Sequence, residues 1–202
     1  MENPNPVQLS LFREQLLKYV VFNNDQWEIF KEYLVCITYK KKQHFLEAGT
    51  VCSYFGFLLK GSVRYYFVKD GTEITGYFSY ENEFIGAYKS FLTGTPSLNY
   101  IQALEDSEII LINKADMDLM LDNPVLSLQL ERLRRLMAEY IIVCYEDRAS
   151  SFVTQTPEQR YLKLLETGKD ILQKVPQHYI ANYLGITAVS LSRIRKRIFG
   201  SR

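Results

Sequence analysis

The chain has 202 residues, of which 47% are hydrophobic and 23% charged, a composition that excludes a largely disordered protein. A net charge of +1 also excludes a uniformly basic nucleic-acid-binding protein, but the charges are unevenly placed. Residues 171–202 contain six basic residues and no acidic one, whereas residues 1–170 carry a net charge of −5. This asymmetry favours a polyanionic partner for the C-terminal end, although a solvated basic tail would have the same composition.

The three cysteines, Cys36, Cys52 and Cys144, are far apart in the sequence. Their spacing matches neither a disulfide framework nor a metal or iron–sulfur site, and we expect reduced thiols in a cytoplasmic protein without a bound metal. The N-terminal residues lack the basic and apolar regions of a signal peptide, and no apolar run reaches 18 residues. We therefore expect no membrane partner.

The first part of the chain predicts helices followed by strands. We expect residues 1–8 to be irregular and residues 9–35 to contain helical segments that are broken at Asn23-Asn24. From about residue 40 to residue 113, short runs of β-branched and aromatic residues alternate with turn signals. Asp70-Gly71 between "VRYYFV" and "TEITGYF" predicts a β-hairpin. The regular spacing of these strands suggests a small antiparallel barrel or roll.

A long helix is predicted in the segment "NPVLSLQLERLRRLMAEYIIVCYED", with Pro124 as its first residue. Apolar residues recur along it at alternating spacings of four and three, which is typical of a coiled-coil seam. They are Leu126, Leu130, Leu133, Met137, Tyr140 and Cys144. A helix that packs only on its own roll would bury a wider stripe, and neighbouring apolar residues do widen this one. We expect this helix to pack with one edge on its own roll and with the seam on a partner helix, and hence a homodimer.

After this helix, residues 148–155 are interpreted as a hinge. Thr156 then predicts an N-cap, Pro157 a first helical residue and Gln159 a capping box, with Gly168 at the end of that helix.

The segment "YIANYLGITAVSLSRIRKRI", residues 179–198, has the pattern of a helix-turn-helix. We predict helices at 177–183 and 188–199, with a sharp turn at Gly185 and Thr187 as the cap of the second helix. Helical spacing would place Ser190, Arg193 and Arg197 on one outward face. In a helix-turn-helix that face enters the major groove, where arginine can bind guanine. An amphipathic helix pair with a solvated basic face remains the alternative.

The order of these parts resembles the CRP/FNR family of bacterial transcription regulators. The best-matched segments are "LLKGSVRYYFVKDGTEITGYF", "NEFIGAYKSF" and "VPQHYIANYLGITAVSLSRIRKRI", while "TPEQRYLKLLE" is similar to Bacteroidetes-type members. The resemblance implies an α+β fold: an N-terminal antiparallel, cyclic-nucleotide-binding-like β-roll flanked by helices, a long dimerisation helix and a C-terminal helix-turn-helix domain of the winged-helix type. The expected domains are 1–123, 124–149 and 150–202, with little room for a wing before Arg202.

The resemblance also assigns roles on the second helix of the helix-turn-helix. Thr187 and Ser190 fall where the family contacts phosphates, and Arg193 falls where it reads a guanine. Ala188 and Val189 replace the base-reading Arg and Glu of cAMP-dependent members, but they can contact a thymine methyl group. The expected DNA-binding set is Thr187, Ala188, Val189, Ser190, Arg193, Lys196 and Arg197.

By the same resemblance, the effector pocket would include Gly86, Ala87, Tyr88, Ser97 and Leu98. Ala87 replaces the Glu that holds the ribose, and Ser97 and Leu98 replace the phosphate-binding Arg and its neighbour. Without that Arg, a cyclic phosphate has no charge-assisted bidentate partner, and Lys89 does not offer the same geometry. We expect no cofactor and no cAMP binding, and the effector stays open. The absence of a cysteine cluster argues against FNR-type oxygen sensing, and His44 and His178 give no support for haem.

The sequence therefore predicts a non-enzymatic, homodimeric regulator of transcription that binds a pseudo-palindromic site in double-stranded DNA, with RNA polymerase as a candidate further partner. One alternative is a small-molecule-binding module that signals through protein–protein contacts, which the absence of acidic residues after Asp170 disfavours. Another is an enzyme on a cupin-like roll, but no cluster of His and Glu ligands and no nucleophile–base pair is apparent.

Overall fold

Two four-stranded β-sheets precede a helical C-terminal region in the computed structural model, which describes residues 1–167 and 175–200. The strands are β1 Leu34–Tyr39, β2 His44–Leu46, β3 Tyr54–Lys60, β4 Ser62–Lys69, β5 Thr72–Tyr80, β6 Phe84–Ile85, β7 Tyr100–Ala103 and β8 Ser107–Asn113. The helices in the described ranges are α1 Pro6–Leu16, α2 Asn24–Lys31, α3 Tyr88–Thr93, α4 Lys114–Asp122, α5 Ser127–Thr154, α6 Pro157–Thr167, α7 Gln177–Leu184 and α8 Ala188–Phe199.

The two sheets have the strand orders β1-β8-β3-β6 and β2-β7-β4-β5. In the first sheet, β8 pairs antiparallel with β1 from Leu34 opposite Ile112 to Tyr39 opposite Ser107, and its other edge pairs with β3. Because β8 lies inside the sheet, Ile109, Ile110 and Leu111 are almost completely buried. The antiparallel roll predicted from the sequence is confirmed.

The hairpin between β4 and β5 forms as predicted. Asp70 has φ 51° and Gly71 has φ 74°, so both central residues of the two-residue loop lie in the left-handed region. Two positive φ angles in succession define a type I′ turn, whose twist matches that of the flanking strands.

The N-terminal residues are more regular than expected. Asn5 caps α1 in a capping box with Gln8, so the helix already begins at Pro6. Glu2 forms a β-bridge with Cys36 of β1, which orders the residues before the helix. The predicted break at Asn23-Asn24 is confirmed, since Asn23 caps α2. A buried aromatic ring of α1, Phe12, lies 5.0 Å from the ring of Phe57 on β3.

The long helix begins and ends later than predicted. Pro124 lies in a turn before α5, because the Asn123 side chain accepts from the Val125 amide at 2.9 Å and its backbone carbonyl accepts from Leu126. The unpredicted helix α4 ends directly before this turn. At the other end, the expected hinge at 148–155 is helical as far as Thr154. The predicted capping box of Thr156 and Gln159 is confirmed, and Gly168 lies outside the described residues.

The chain divides into two compact units. Unit 1 comprises Met1–Arg64 and Phe78–Ile141, and unit 2 comprises Tyr65–Tyr77 and Ile142–Arg202. Helix α5 contributes its first part to unit 1 and its last part to unit 2, without an interruption in the helix. The outer part of the β4–β5 hairpin is grouped with the C-terminal helices.

Candidate nucleic-acid interface

The turn between α7 and α8 has the geometry that the sequence predicts. Gly185 has φ 70° and ψ 31°, its amide donates to the Asn182 carbonyl, and the Ile186 amide donates to the Ala181 carbonyl at 3.0 Å. These two hydrogen bonds form a Schellman motif, in which a left-handed residue ends the helix. Thr187 then caps α8, since its hydroxyl accepts from the Ser190 amide at 3.1 Å.

The inward residues of the helix-turn-helix form a small core within unit 2. Ala181 is 1% exposed, which is consistent with a close approach of two helices. The other buried members are Ile180, Leu184, Leu191 and Ile194. These side chains face the interior of unit 2, and Ile198, further along the same helix face, is half-buried.

The opposite face of α8 is exposed. Its side chains recur at helical spacing and combine small, apolar and cationic types: Ala188, Val189, Ser192, Arg193 and Lys196. Ser192 was not among the predicted site residues, although it lies three residues after Val189 and four before Lys196. The hydroxyls of Thr187 and Ser190 lie 3.0 Å apart, so Ser190 faces the cap at the start of the helix.

Two of the four cations on α8 contact other parts of unit 2. Arg197 donates through Nη2 to Glu158 Oε2 at 2.6 Å, which places it on the flank toward α6. Arg195 lies near Tyr161: burial raises the pKa of the Tyr161 hydroxyl, and the Arg195 guanidinium offsets part of that rise. Arg193 and Lys196 are exposed, and neither forms a salt bridge within the residues that the structure describes. These two cations are therefore the ones available to a polyanion.

A contact between the hairpin and the helix-turn-helix was not predicted. Asn182 on α7 donates through Nδ2 to the Glu73 carbonyl on β5 at 2.8 Å, across 109 positions of sequence. Both residues belong to unit 2, so the hairpin tip and α7 are directly joined within it. No local pattern in the sequence encodes this pairing.

The predicted effector-pocket residues lie on either side of residues 49–52. The Cys52 amide donates to Ser90 Oγ at 2.9 Å, close in sequence to Gly86, Ala87 and Tyr88. We call residues 86–88 the cassette. The Ser97 amide donates to the Thr50 carbonyl at 2.8 Å. Gly86 has φ 158°, and a Cβ there would lie 2.7 Å from the Phe55 ring. Aromatic side chains therefore pack directly against this cassette.

Two of the predicted pocket side chains have other roles. The Ser97 hydroxyl donates to the Asn99 carbonyl at 2.9 Å and lies 2.7 Å from Asn99 Oδ1. Leu98 is 77% exposed. Ala87 precedes α3 without a side-chain cap. At the five predicted positions the structure therefore offers neither a carboxylate for a ribose nor a cation for a phosphate.

The predicted dimer seam on α5 splits into two parts. Leu126, Leu130, Leu133 and Met137 are at most 6% exposed in the single chain, whereas Tyr140 is 46% exposed and Cys144 is half-buried. The apolar residues that α5 leaves exposed lie mainly in its C-terminal half: Leu128, Tyr140, Ile142, Val143, Tyr145, Phe152 and Val153.

Within residues 1–167 and 175–200, no group of three His, Cys, Asp or Glu side chains could hold a metal ion. In the same residues, no helix combines the length and apolar character needed to cross a bilayer.

Comparison with known proteins gives a family match for part of the chain and identifies its fold. Residues 36–123 match the cyclic nucleotide-binding domain family. FixK2 from Bradyrhizobium japonicum is similar with a TM-score of 0.70 and 17% identity, over 83% of this chain and 85% of that chain. The c-di-GMP-responsive global regulator CLP from Xanthomonas campestris has a TM-score of 0.68 and 14% identity, over 89% and 93%. A CooA mutant from Carboxydothermus hydrogenoformans has a TM-score of 0.58 and 16% identity, over 92% and 84%.

No curated protein matches the sequence. The structural neighbours extend over both the roll and the C-terminal helices, as their coverage of this chain shows. Residues 36–123 therefore match the cyclic nucleotide-binding domain family, and the chain as a whole has the fold that FixK2, CLP and CooA share.

Proposed function

We propose that this protein is a homodimeric regulator of transcription that binds double-stranded DNA through the exposed face of α8. The observation that carries the proposal is that face itself, where Arg193 and Lys196 project from the second helix of a helix-turn-helix. A helix of this kind fits the major groove, and an arginine on it can donate to both O6 and N7 of guanine. A lysine at the edge of the same face can neutralise a phosphate.

The remaining residues of α8 suggest different roles in recognition. Val189 is 62% exposed, and an apolar side chain of this size can contact the methyl group of thymine. Thr187 and Ser190 lie at the N-terminus of the helix, where hydroxyl groups and amides favour phosphate oxygens. Arg197 is held by Glu158, so we assign it to the flank of the interface rather than to base recognition.

Two copies of the chain are needed for a specific site. One recognition helix covers only a few base pairs, and two helices reach successive major grooves when they are about 34 Å apart. Tyr140, Ile142 and Val143, which are exposed apolar residues in the C-terminal half of α5, form the surface that we propose for the second copy. A two-fold-related dimer would then recognise a pseudo-palindromic sequence.

The cyclic nucleotide that the family name implies does not fit the residues found here. Ala87 has no carboxylate, the Ser97 hydroxyl is bound to Asn99, and Leu98 points into solvent. A cyclic phosphate at these positions would be buried without a charge-assisted partner. We propose that regulation by this roll does not use cAMP through these five residues.

The proposal is tested by fluorescence anisotropy on a DNA site selected from random sequence, at two salt concentrations. Arg193→Ala should weaken binding and relax selectivity at one base pair of each half-site, whereas Lys196→Ala should weaken all sequences alike and reduce the salt slope by about 1. Arg132→Ala, which removes an exposed cation of α5, is the matched control and should leave binding unchanged. Equal and sequence-independent losses for Arg193→Ala and Arg132→Ala would overturn the proposed face.

A further inference from the structure

Three side chains join the end of α5 to the turn of the helix-turn-helix, and all of them belong to unit 2. The Arg148 guanidinium stacks 3.7 Å from the centroid of the Tyr183 ring and 4.4 Å from that of Phe152, and it donates to the Tyr183 carbonyl. The Arg160 guanidinium lies 4.7 Å from the Phe152 ring and donates to the Leu184 carbonyl at 2.9 Å. We call Arg148, Phe152 and Arg160 the arginine clamp.

The clamp holds the C-terminal end of α7. The last carbonyls of a helix have no intrahelical donor and carry a partial negative charge, so cations stabilise them. The planar guanidinium can donate to several oxygens at once, and Arg160 also donates to the Gln155 and Ser151 carbonyls at 2.6 and 3.2 Å. The Arg160 side chain thus binds backbone carbonyls of α5, of the α5–α6 connection and of α7.

Placing two cations at one aromatic ring has an electrostatic cost. Burial lowers the pKa of the Arg148 guanidinium, and the neighbouring positive charge of Arg160 lowers it further. Arg160 Nε is buried without a hydrogen-bond acceptor among the described residues. A cation above an aromatic face offsets part of this cost, since the ring quadrupole attracts it. An apolar side chain in place of one arginine would fill the same space without repulsion between two cations. The presence of both arginines therefore points to a role for them beyond packing.

The ring of Phe152 also contacts the turn directly. A Cβ built on Gly185 would lie 2.8 Å from Phe152 Cε1, so the ring packs closely against the left-handed residue between α7 and α8. Phe152 and Arg148 lie on the part of α5 that belongs to unit 2, so the clamp joins that part of the helix directly to the turn. The clamp therefore couples the direction of α8 to the direction of α5.

We propose that Arg148, Phe152 and Arg160 are positioning residues that fix the helix-turn-helix on α5 and thereby set the distance between the half-sites that the dimer accepts. The proposal rests on the proposed DNA-binding function and deepens it. In a dimer related through α5, the separation of the two recognition helices follows from the angle at which each is fixed to that helix. A loosened clamp should leave the contacts of α8 with a half-site intact while widening the range of tolerated spacings.

The test uses the full chain and a set of DNA duplexes that carry the selected half-sites at different separations, together with a duplex that carries one half-site. The variants are Arg160→Lys, which keeps the charge but loses the fork, and Phe152→Leu, which keeps an apolar side chain but loses the ring. Arg132→Ala on the exposed surface of α5 is the control. Circular dichroism and gel filtration check that every variant is folded and has the same oligomeric state.

Wild-type protein and Arg132→Ala should prefer one separation at least tenfold over duplexes with one or two base pairs more or fewer. For Arg160→Lys and Phe152→Leu this preference should fall below about threefold, while affinity for the single half-site stays within about twofold. An unchanged spacing preference would refute the clamp. A parallel loss of affinity for the single half-site and for every spacing would also refute it, because the residues would then only support α8.

Amide hydrogen exchange separates failure of the clamp from failure of the proposed function. If wild-type protein selects no DNA sequence, the proposed function fails, and the clamp is then judged in the free protein. The amides of Gly185 and Ile186 should exchange at least tenfold faster in Arg160→Lys and Phe152→Leu than in Arg132→Ala. Equal exchange in the three variants would overturn the clamp without reference to DNA.

Discussion

Replacing Gly185 by alanine tests the packing of the helix-turn-helix most sharply, because Gly94 provides a matched control. Both glycines end a helix in the left-handed region, with φ 70° at Gly185 and φ 67° at Gly94. A Cβ at Gly94 meets no atom within 4 Å, whereas a Cβ at Gly185 lies 2.8 Å from Phe152 Cε1. The two substitutions therefore share the backbone strain and differ in the steric contact.

The expected magnitudes follow from these two components. An L-residue in the left-handed region costs about 1–2 kcal/mol, and the lower entropy of the unfolded alanine chain offsets about 0.4–1 kcal/mol of that. Gly94→Ala should therefore destabilise the protein by about 1.6 kcal/mol or less. Overpacking adds about 1–3 kcal/mol, and Phe152 cannot move away freely because two arginines hold its ring. Gly185→Ala should thus cost about 1–3 kcal/mol more than Gly94→Ala.

Urea unfolding of both variants, followed by far-UV circular dichroism, measures this difference. The fluorescence of Trp27, the single tryptophan of the chain, reports whether unit 1 unfolds in the same transition. Adding Phe152→Ala to each variant should remove most of the excess cost of Gly185→Ala and leave Gly94→Ala unaffected. Equal free energies of unfolding for the two single variants would refute the reasoning, because the Phe152 ring would then yield without resistance.

Three other predictions concern the interface and a half-buried carboxyl group. Arg193→Ala should cost about 1–3 kcal/mol in binding of the selected DNA, measured by anisotropy, and should relax selectivity at one base pair. Glu158→Gln should tighten binding a few-fold and steepen its salt dependence, because it removes a negative charge and releases Arg197 toward the DNA. Glu83→Gln should stabilise the protein at neutral pH and not at low pH. Burial raises the pKa of the Glu83 carboxyl, so its ionisation destabilises the folded state as pH rises. The measurement is the urea midpoint of wild-type protein and of Glu83→Gln at several pH values. A difference between the two proteins that does not change with pH would contradict this prediction.

Local sequence signals predicted the local structure well. The left-handed turn at Gly185, the cap at Thr187 and the Asp70-Gly71 hairpin each depend on residue types whose backbone preferences act over two to four positions. The start of α5 was misplaced because Pro124 is equally suited to a turn that Asn123 closes. Helix α4, with nine residues and few buried side chains, gave too short a pattern to detect.

The long-range pairings could not be predicted from sequence patterns. Arg197 and Glu158 are 39 positions apart, and Asn182 and Glu73 are 109 apart, so their contacts exist only once the tertiary structure brings them together. The seam of α5 shows a second limit. A spacing of four and three residues is the same whether a helix packs on its own chain or on a partner. Burial shows that the first four seam residues pack within the chain: Leu126, Leu130, Leu133 and Met137.

The central claim, that the exposed face of α8 reads DNA sequence, is tested most directly by selection from random-sequence duplexes without added ligand, run in parallel for wild-type protein and Arg193→Ala. We predict that the wild-type protein enriches a two-fold-related site whose half-sites are one helical turn apart, and that Arg193→Ala enriches the same site with the preference lost at one base pair of each half-site. Identical motifs from both proteins, or enrichment of no motif with only salt-sensitive binding, would contradict the account.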